Sequence, residues 1–133
     1  MIHYVSADEA VKAVQSGDHI HLSSVASVPH ILIQALVRRA DAGELKDLHF
    51  HHFHTEGAAP YAAPAYEGIF FEQGFFVGAN TRESVNQGYA DYLPAHLSET
   101  ERLYRSGVIP LGCAMVQVSL PDDDGMVSLG TSV

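Results

Sequence analysis

Four histidines crowd the segment LHFHHFHT: His49, His51, His52 and His54. Neutral imidazole is the commonest metal ligand, so the cluster raises a metal reading. Strand side chains alternate, which puts His52 and His54 on one face and His49 and His51 on the other. One face then offers at most two ligands, and the usual zinc spacings with Cys or Glu are absent. The expectation is polar strand-end histidines and no metal, with a His-dependent metalloprotein as a rival. A better candidate is the small-residue turn at residues 23–28, before Pro29. Helix N-termini favour anions, and ligands of open α/β sheets bind outside the carboxyl ends of strands. Ser27 and the backbone N–H groups of Ala26 and Val28 are candidates to hold a carboxylate oxygen; a plain N-cap serine without ligand is the alternative.

Three other groups deserve weighing. The small side chains of Gly57, Ala58 and Ala59 let another group approach the backbone, unless this is only a surface loop shaped by Pro60 and Pro64. Asn80, Arg82 and Asn86 share one capped segment. Arg82 can grip a carboxylate or phosphate through two donors, or else pair with Glu83 or Asp91 as scaffolding. Asp122, Asp123 and Asp124 read as a solvated turn, because EF-hand spacing is missing. No Gly-x-Ser-x-Gly elbow, P-loop or Gly-x-Gly-x-x-Gly fingerprint occurs.

The elements that must position these groups read as an α/β order. Ser6 and Glu9 form a capping box for a helix with Ala10, Val11 and Val14 on one face, closed by Gly17. Residues 19–23 form a strand with Ile20 and Leu22 together. Pro29 takes the first position of a helix carrying Leu32, Leu36 and Ala40 towards Gly43, and residues 48–55 form a second strand. This order favours a parallel sheet. Residues 69–71 and 75–77 read as strands separated by Gln73-Gly74. Asn80 and Glu83 cap a short helix ended by Gly88, and Ser98 and Glu101 cap another up to Ser106. Residues 108–111, 114–118 and 126–129 complete the strands, the last after a reverse turn at Asp124-Gly125. The fold expected is one open, mostly parallel α/β sheet with flanking helices.

Composition narrows the function. A net charge of −9 with only seven Lys and Arg argues against nucleic acid. No stretch approaches the ~20 apolar residues of a membrane span, and MIHYVSADEA lacks a leader's basic and apolar regions. The single Cys113 reads as a buried, inert thiol and fits a reducing cytoplasm.

Three blocks in one order carry a family resemblance: GAAPY at 57–61, FFVGANTRESVNQGYADYLPAHLSE at 75–99, and VSLPDDDGMVSLGTS at 118–132. The last resembles the Ser-Pro-Pro-Asp turn running into Gly-x-x-Ser-Leu-Gly-x-Ser of the acetyl-CoA hydrolase/transferase family. Leu120 stands where the family usually has Pro, and Gly112-Cys113 where Asp-Val is common. The resemblance implies an N-terminal CoA-transferase domain acting on coenzyme A thioesters and short-chain carboxylates of the acetate, butyrate or 4-hydroxybutyrate class. It implies transfer through a glutamyl-CoA thioester whose glutamate lies beyond Val133, so that no catalytic residue is expected in this chain. It also places the turn of Ala26, Ser27 and Val28 in the acyl pocket and the Gly57 loop beside the cleft. The chain then reads as cut before a catalytic C-terminal domain, inactive alone, with a cytoplasmic homo-oligomer as the whole. A hydrolase of the same family, or a non-catalytic binding or regulatory module of the same fold, is the alternative.

Overall fold

The computed structural model describes residues 4–131. The first three residues, part of the stretch read as lacking a leader, lie outside the described residues, as do Ser132 and Val133 at the end of the signature block. Five strands form one sheet: β1 (His19–Leu22), β2 (Leu48–His51), β3 (Phe70–Gly74), β4 (Ala90–Tyr92) and β5 (Cys113–Met115). Their order is β4-β3-β2-β1-β5, and every neighbouring pair is parallel. The chain therefore builds outward from β1 to β4 on one side, then crosses to place β5 on the other side of β1. That reversal makes the gap beyond the carboxyl ends of β1 and β5 a topological switch point.

One face of the sheet makes the core. Strand alternation sends Ile20, Leu22, Leu48, Phe50 and Phe70 to the same side, where they are buried. Helix α2 (His30–Asp41) covers them with Ile33, Leu36 and Ala40, whose three- and four-residue spacing forms a single apolar stripe. A short helix α1 (Ala7–Ala10), continued as a tight turn over Val11–Ala13, adds Val11 and Val14. Arg39 binds this turn to α2: Nη1 donates to the Val11 and Val14 carbonyls at 2.5 and 2.9 Å, and Nε to Glu44 at 2.9 Å. Arg39→Lys is expected to lose about 1–2 kcal/mol in urea denaturation, since an ammonium cannot reproduce the planar fork. An unchanged midpoint would refute that role. Among the described residues, no helix is long and apolar enough to cross a membrane.

Several boundaries differ from the sequence reading, each for a local reason. Ser6 caps α1 by accepting from the Glu9 N–H, but Glu9 turns to Lys12; the helical stretch ends at Ala13, with Val14 already extended, short of Gly17, and leaves Ala10 exposed. Pro29 is the N-cap of α2, its ψ of 63° lying outside the helix. Strand β2 stops at His51, and Thr55 keeps only an isolated bridge to Val25. Residues 70–74 form one strand, so Gln73-Gly74 is not a break, and residues 75–77 follow as a bend. The capping box proposed for Ser98 and Glu101 is made two residues earlier, by His96 and Glu99, before α4 (Thr100–Arg105). Residues 108–111 are not a strand, and β5 is limited to three residues. Residues 116–131 form an exposed turn closed by Ser119–Ser128 and Asp122–Met126 backbone bonds, without a sheet ladder.

Candidate functional site

At the switch point lies a cavity of about 340 Å³. Its polar floor is His21, Ser23 and Ser24, the end of β1 and the turn beyond it. Its apolar walls come from Val25, Phe53, Leu97 and Val116, and its rim includes Leu129 and Thr131 of the terminal turn. The phase of β1 explains the floor: His21 and Ser23 sit opposite Ile20 and Leu22, so they face away from the core.

The floor is held rigidly. Ser23 Oγ donates to the Ser27 carbonyl at 2.5 Å and accepts from the Gln117 N–H at 3.0 Å, locking the turn to the chain after β5. Ser24 Oγ accepts from the Phe53 N–H at 3.2 Å. Val25 adopts a φ of 54°, which a β-branched side chain rarely tolerates. Its N–H donates to the His54 carbonyl at 2.6 Å, one of the contacts that impose this conformation. Strained residues of this kind cluster where a turn must present groups to a ligand.

The structure brings three of the sequence-predicted groups together. Gly57, at a φ of 80°, packs so closely on α2 that a β-carbon there would lie 3.1 Å from His30 Cε1. Asn80 Nδ2 donates to the Gly57 carbonyl at 3.2 Å and to Thr55 Oγ1 at 3.1 Å. Thr55 in turn shares a 2.8 Å hydrogen bond with Tyr61, and burial pushes the Tyr61 phenol well above its usual range. The β1–α2 turn, the Gly57 loop and the segment before α3 (Arg82–Gln87) thus meet through Thr55 and Asn80.

The same geometry revises several individual assignments. Asn80 spends its donors on the loop and does not cap α3, whose N-cap is Thr81 without a side-chain bond. The Val28 side chain belongs to the core, while Ala26 is exposed. Ser27 is buried with its N–H bonded to the Ser24 carbonyl, and its hydroxyl lies about 4.0 Å from where a Gly130 β-carbon would stand. Ala58 is exposed and Ala59 half-buried in the loop. Arg82 and Asn86 are exposed on α3, and Arg82 pairs with neither Glu83 nor Asp91, because its side chain points to solvent without a partner among the described residues. Of the cavity residues named above, Ser23, Ser24 and Val25 lie within the turn singled out from the sequence, although the individual residues named there were 26–28; His21 was missed. The alternation already visible at Ile20 and Leu22 is the signal that could have found it.

The histidines divide by face, but not as polar strand ends. His19 stacks on His49 at 4.3 Å and bonds His51 Nε2 at 2.8 Å, and His51 is buried. Desolvation, with the neighbouring His19 and His49, pushes the His51 imidazole down to about 4. His52 lies on the core side, buried against Glu72 at 3.1 Å. Among the described residues, no three His, Cys, Asp or Glu are grouped to hold a metal ion. Cys113 is half-buried, and burial raises its thiol.

Comparison with known proteins follows the same lines. Residues 3–133 match the acetyl-CoA hydrolase/transferase N-terminal domain. A succinyl-CoA:acetate/propanoyl-CoA:succinate CoA transferase from Fasciola hepatica is 36% identical over 128 residues, covering 96% of this chain and 26% of that protein. The 4-hydroxybutyrate coenzyme A transferase of Clostridium kluyveri is 31% identical, over 96% of this chain and 29% of its own length. RipA from Yersinia pestis superposes with a TM-score of 0.82 at 26% identity, over 95% of this chain and 31% of that one. A 4-hydroxybutyrate CoA-transferase from Porphyromonas gingivalis gives 0.70 at 28% identity, over 95% and 27%. The chain thus spans between a quarter and a third of the length of these relatives.

Proposed function

The chain belongs to the acetyl-CoA hydrolase/transferase family, and from that premise we propose that it serves as the N-terminal part of a CoA-transferase. In this reading CoA moves between a short-chain acyl-CoA and a carboxylate of the acetate, butyrate or 4-hydroxybutyrate class. The observation that carries the proposal is the convergence of the β1–α2 turn with signature residues Leu129 and Thr131 on one cavity at the switch point.

The chemistry is a double displacement on a carboxylate nucleophile. A glutamate attacks the thioester carbonyl, giving an acyl-glutamyl anhydride and CoA thiolate. The thiolate then attacks the glutamyl carbonyl, releasing the first carboxylate and leaving a glutamyl-CoA thioester. An acceptor carboxylate reverses both steps. The glutamate belongs to a C-terminal domain outside this chain, and the role of these residues is to bind and orient the acyl end. Apolar Val25, Phe53, Leu97 and Val116 would take the hydrocarbon, while the Ser23 and Ser24 turn sets the polar floor. Lys12, Arg38, Arg39, Arg102 and Arg105 are all engaged in ion pairs. Of the two remaining cations, Lys46 precedes β2 at the amino end of the sheet, which leaves exposed Arg82 for a CoA phosphate, and most of the charge needed by CoA comes from the C-terminal domain.

The test assays acyl-CoA with acetate in the full-length protein, following acetyl-CoA and free CoA by chromatography. Transfer without matching release of free CoA is the expected result, with no turnover by the 133-residue chain alone. Release of free CoA without acetyl-CoA would replace the transferase with a hydrolase. Turnover by the short chain alone would overturn the division of labour.

A further inference from the structure

The face of the sheet that carries His19, His21, His49 and His51 holds a second cavity, equal in volume to the first at about 340 Å³. His19, His51 and Gln73 form its polar side, and Leu93, Leu103 and Ile109 are among its apolar lining. Tyr104 of α4 stands against a wall residue of each cavity. Its hydroxyl is 2.9 Å from Nδ1 of His21, which lines the switch-point cavity. Its ring meets His51, which lines the second cavity, edge-on at 6.4 Å and 84°. The ring is fixed further by edge-on contacts with His21 at 5.6 Å and Phe75 at 6.1 Å.

We propose that the Tyr104–His21 contact is the inner end wall of the switch-point cavity and limits the acyl group to short chains. The proposal rests on the assignment of that cavity to the acyl end. Three features support a wall over a chance contact. The hydrogen bond joins elements 83 residues apart, so it ties α4 to the sheet at one defined point. Both partners are kept uncharged by desolvation, which raises the Tyr104 phenol and lowers the His21 imidazole, so the wall presents a neutral surface to a hydrocarbon end. Behind the wall the lining is again largely apolar, so removing the Tyr104 ring would join the two spaces into a longer slot suited to more methylenes. A pocket that discriminates by length does so methylene by methylene, each worth about tenfold or more when the wall is rigid.

The experiment titrates the ¹⁵N-labelled chain with S-butanoyl and S-octanoyl N-acetylcysteamine, uncharged stand-ins for the acyl end of acyl-CoA. The amides of Val25 and Leu129 report the first cavity, and those of His51 and Ile109 the second. In the wild type, the butanoyl compound should shift only the first set, and the octanoyl compound should bind at least about tenfold more weakly. Tyr104→Ala should bring octanoyl binding level with butanoyl and shift both sets. Tyr104→Phe, which keeps the ring, should retain the wild-type preference. An unchanged length preference in a folded Tyr104→Ala variant would overturn the proposal. So would octanoyl shifts at His51 and Ile109 in the wild type, a result that needs no variant to fold. If neither thioester shifts Val25 or Leu129, the acyl assignment of the cavity fails instead, and the wall with it.

Discussion

Replacing Glu72 with alanine is expected to destabilise the fold by about 3–5 kcal/mol, the cost of removing one member of a buried pair. Glu72 lies on the core side of β3, in phase with Phe70, and faces His52 Nε2 at 3.1 Å with both side chains 1% exposed. The contact is close but poorly aligned, and the second carboxylate oxygen has no hydrogen-bond partner among the described residues. Around the pair are Tyr61, whose ring meets His52 at 5.6 Å, and Gly74. A β-carbon on Gly74 would stand 2.7 Å from Glu72 Oε1 and 3.0 Å from the Phe76 carbonyl, so the glycine is there for room. Alanine at 72 leaves a gap and an imidazole without its partner, and both effects act in the same direction. The companion measurement is the double replacement Glu72→Leu with His52→Phe. Both polar groups then disappear, and most of the loss should be recovered. Urea denaturation of the single and double variants decides the matter. A loss under about 1 kcal/mol for Glu72→Ala, or a double variant no better than the single, would show that the pair is not what holds this part of the core.

How far such features were legible depends on whether they are local. Ile20 and Leu22 alternate within four residues, so β1 and its buried face could be read directly. The apolar stripe of α2 and the left-handed Gly88 after α3 are equally local signals, and both hold. Gln73-Gly74 shows the opposite case. A glycine after a polar residue reads as a turn, yet Gly74 has no positive φ and leaves room for Glu72 of its own strand and for His52 beyond the end of β2. His96 with Glu99 and Ser98 with Glu101 offer two capping boxes two residues apart, and the chain uses the one that also tightens Leu97–Glu99. The fold class was readable because a β–turn–α–β order leaves few alternatives.

The site was only half legible for the same reason. The β1–α2 turn and the Gly57 loop could be picked out as short, small-residue segments. The cavity beside them depends on β5 lying next to β1, a pairing between residues more than ninety apart that no local pattern encodes. Once β5 is there, Ser23 bonds Gln117, the terminal turn comes over Val25, and the cavity exists. The sequence reading took the turn at 23–28 and named residues 26–28 within it, on the side of the helix N-terminus. The switch point instead favours residues 23–25, which are closer to the strand and in phase with His21. Small hydroxyl residues and a strained valine do not resemble any catalytic motif, and only their position makes them informative.

Acidification should unfold this domain earlier than its carboxylates alone would require. His51 is pushed down to about 4 by desolvation and by His19 and His49, and His19 and His21 are lowered in the same direction, chiefly by burial. In the unfolded chain each imidazole returns to about 6.5. Between these values the unfolded state binds more protons than the folded one, so stability rises with pH across the window. The contribution is complete above about pH 6.5 and is lost progressively as pH falls towards 4. Asp18 and Asp47 pull His19 the other way, and the Gln73 backbone opposes the shift at His51. The groups packed against the cluster from β3 and α4, Phe71, Gln73 and Tyr104, carry no charge to offset a new imidazolium. Over the interval from pH 7 to pH 4.5, His51 accounts for about 2 kcal/mol, or a fall of roughly 5–10 °C in Tm. His51→Gln keeps a polar side chain but removes the titration, so its Tm should fall less over the same interval although it starts lower. Thermal melts of both proteins across that range provide the check. Parallel curves for the two would assign the acid sensitivity to the carboxylates and remove His51 from the account.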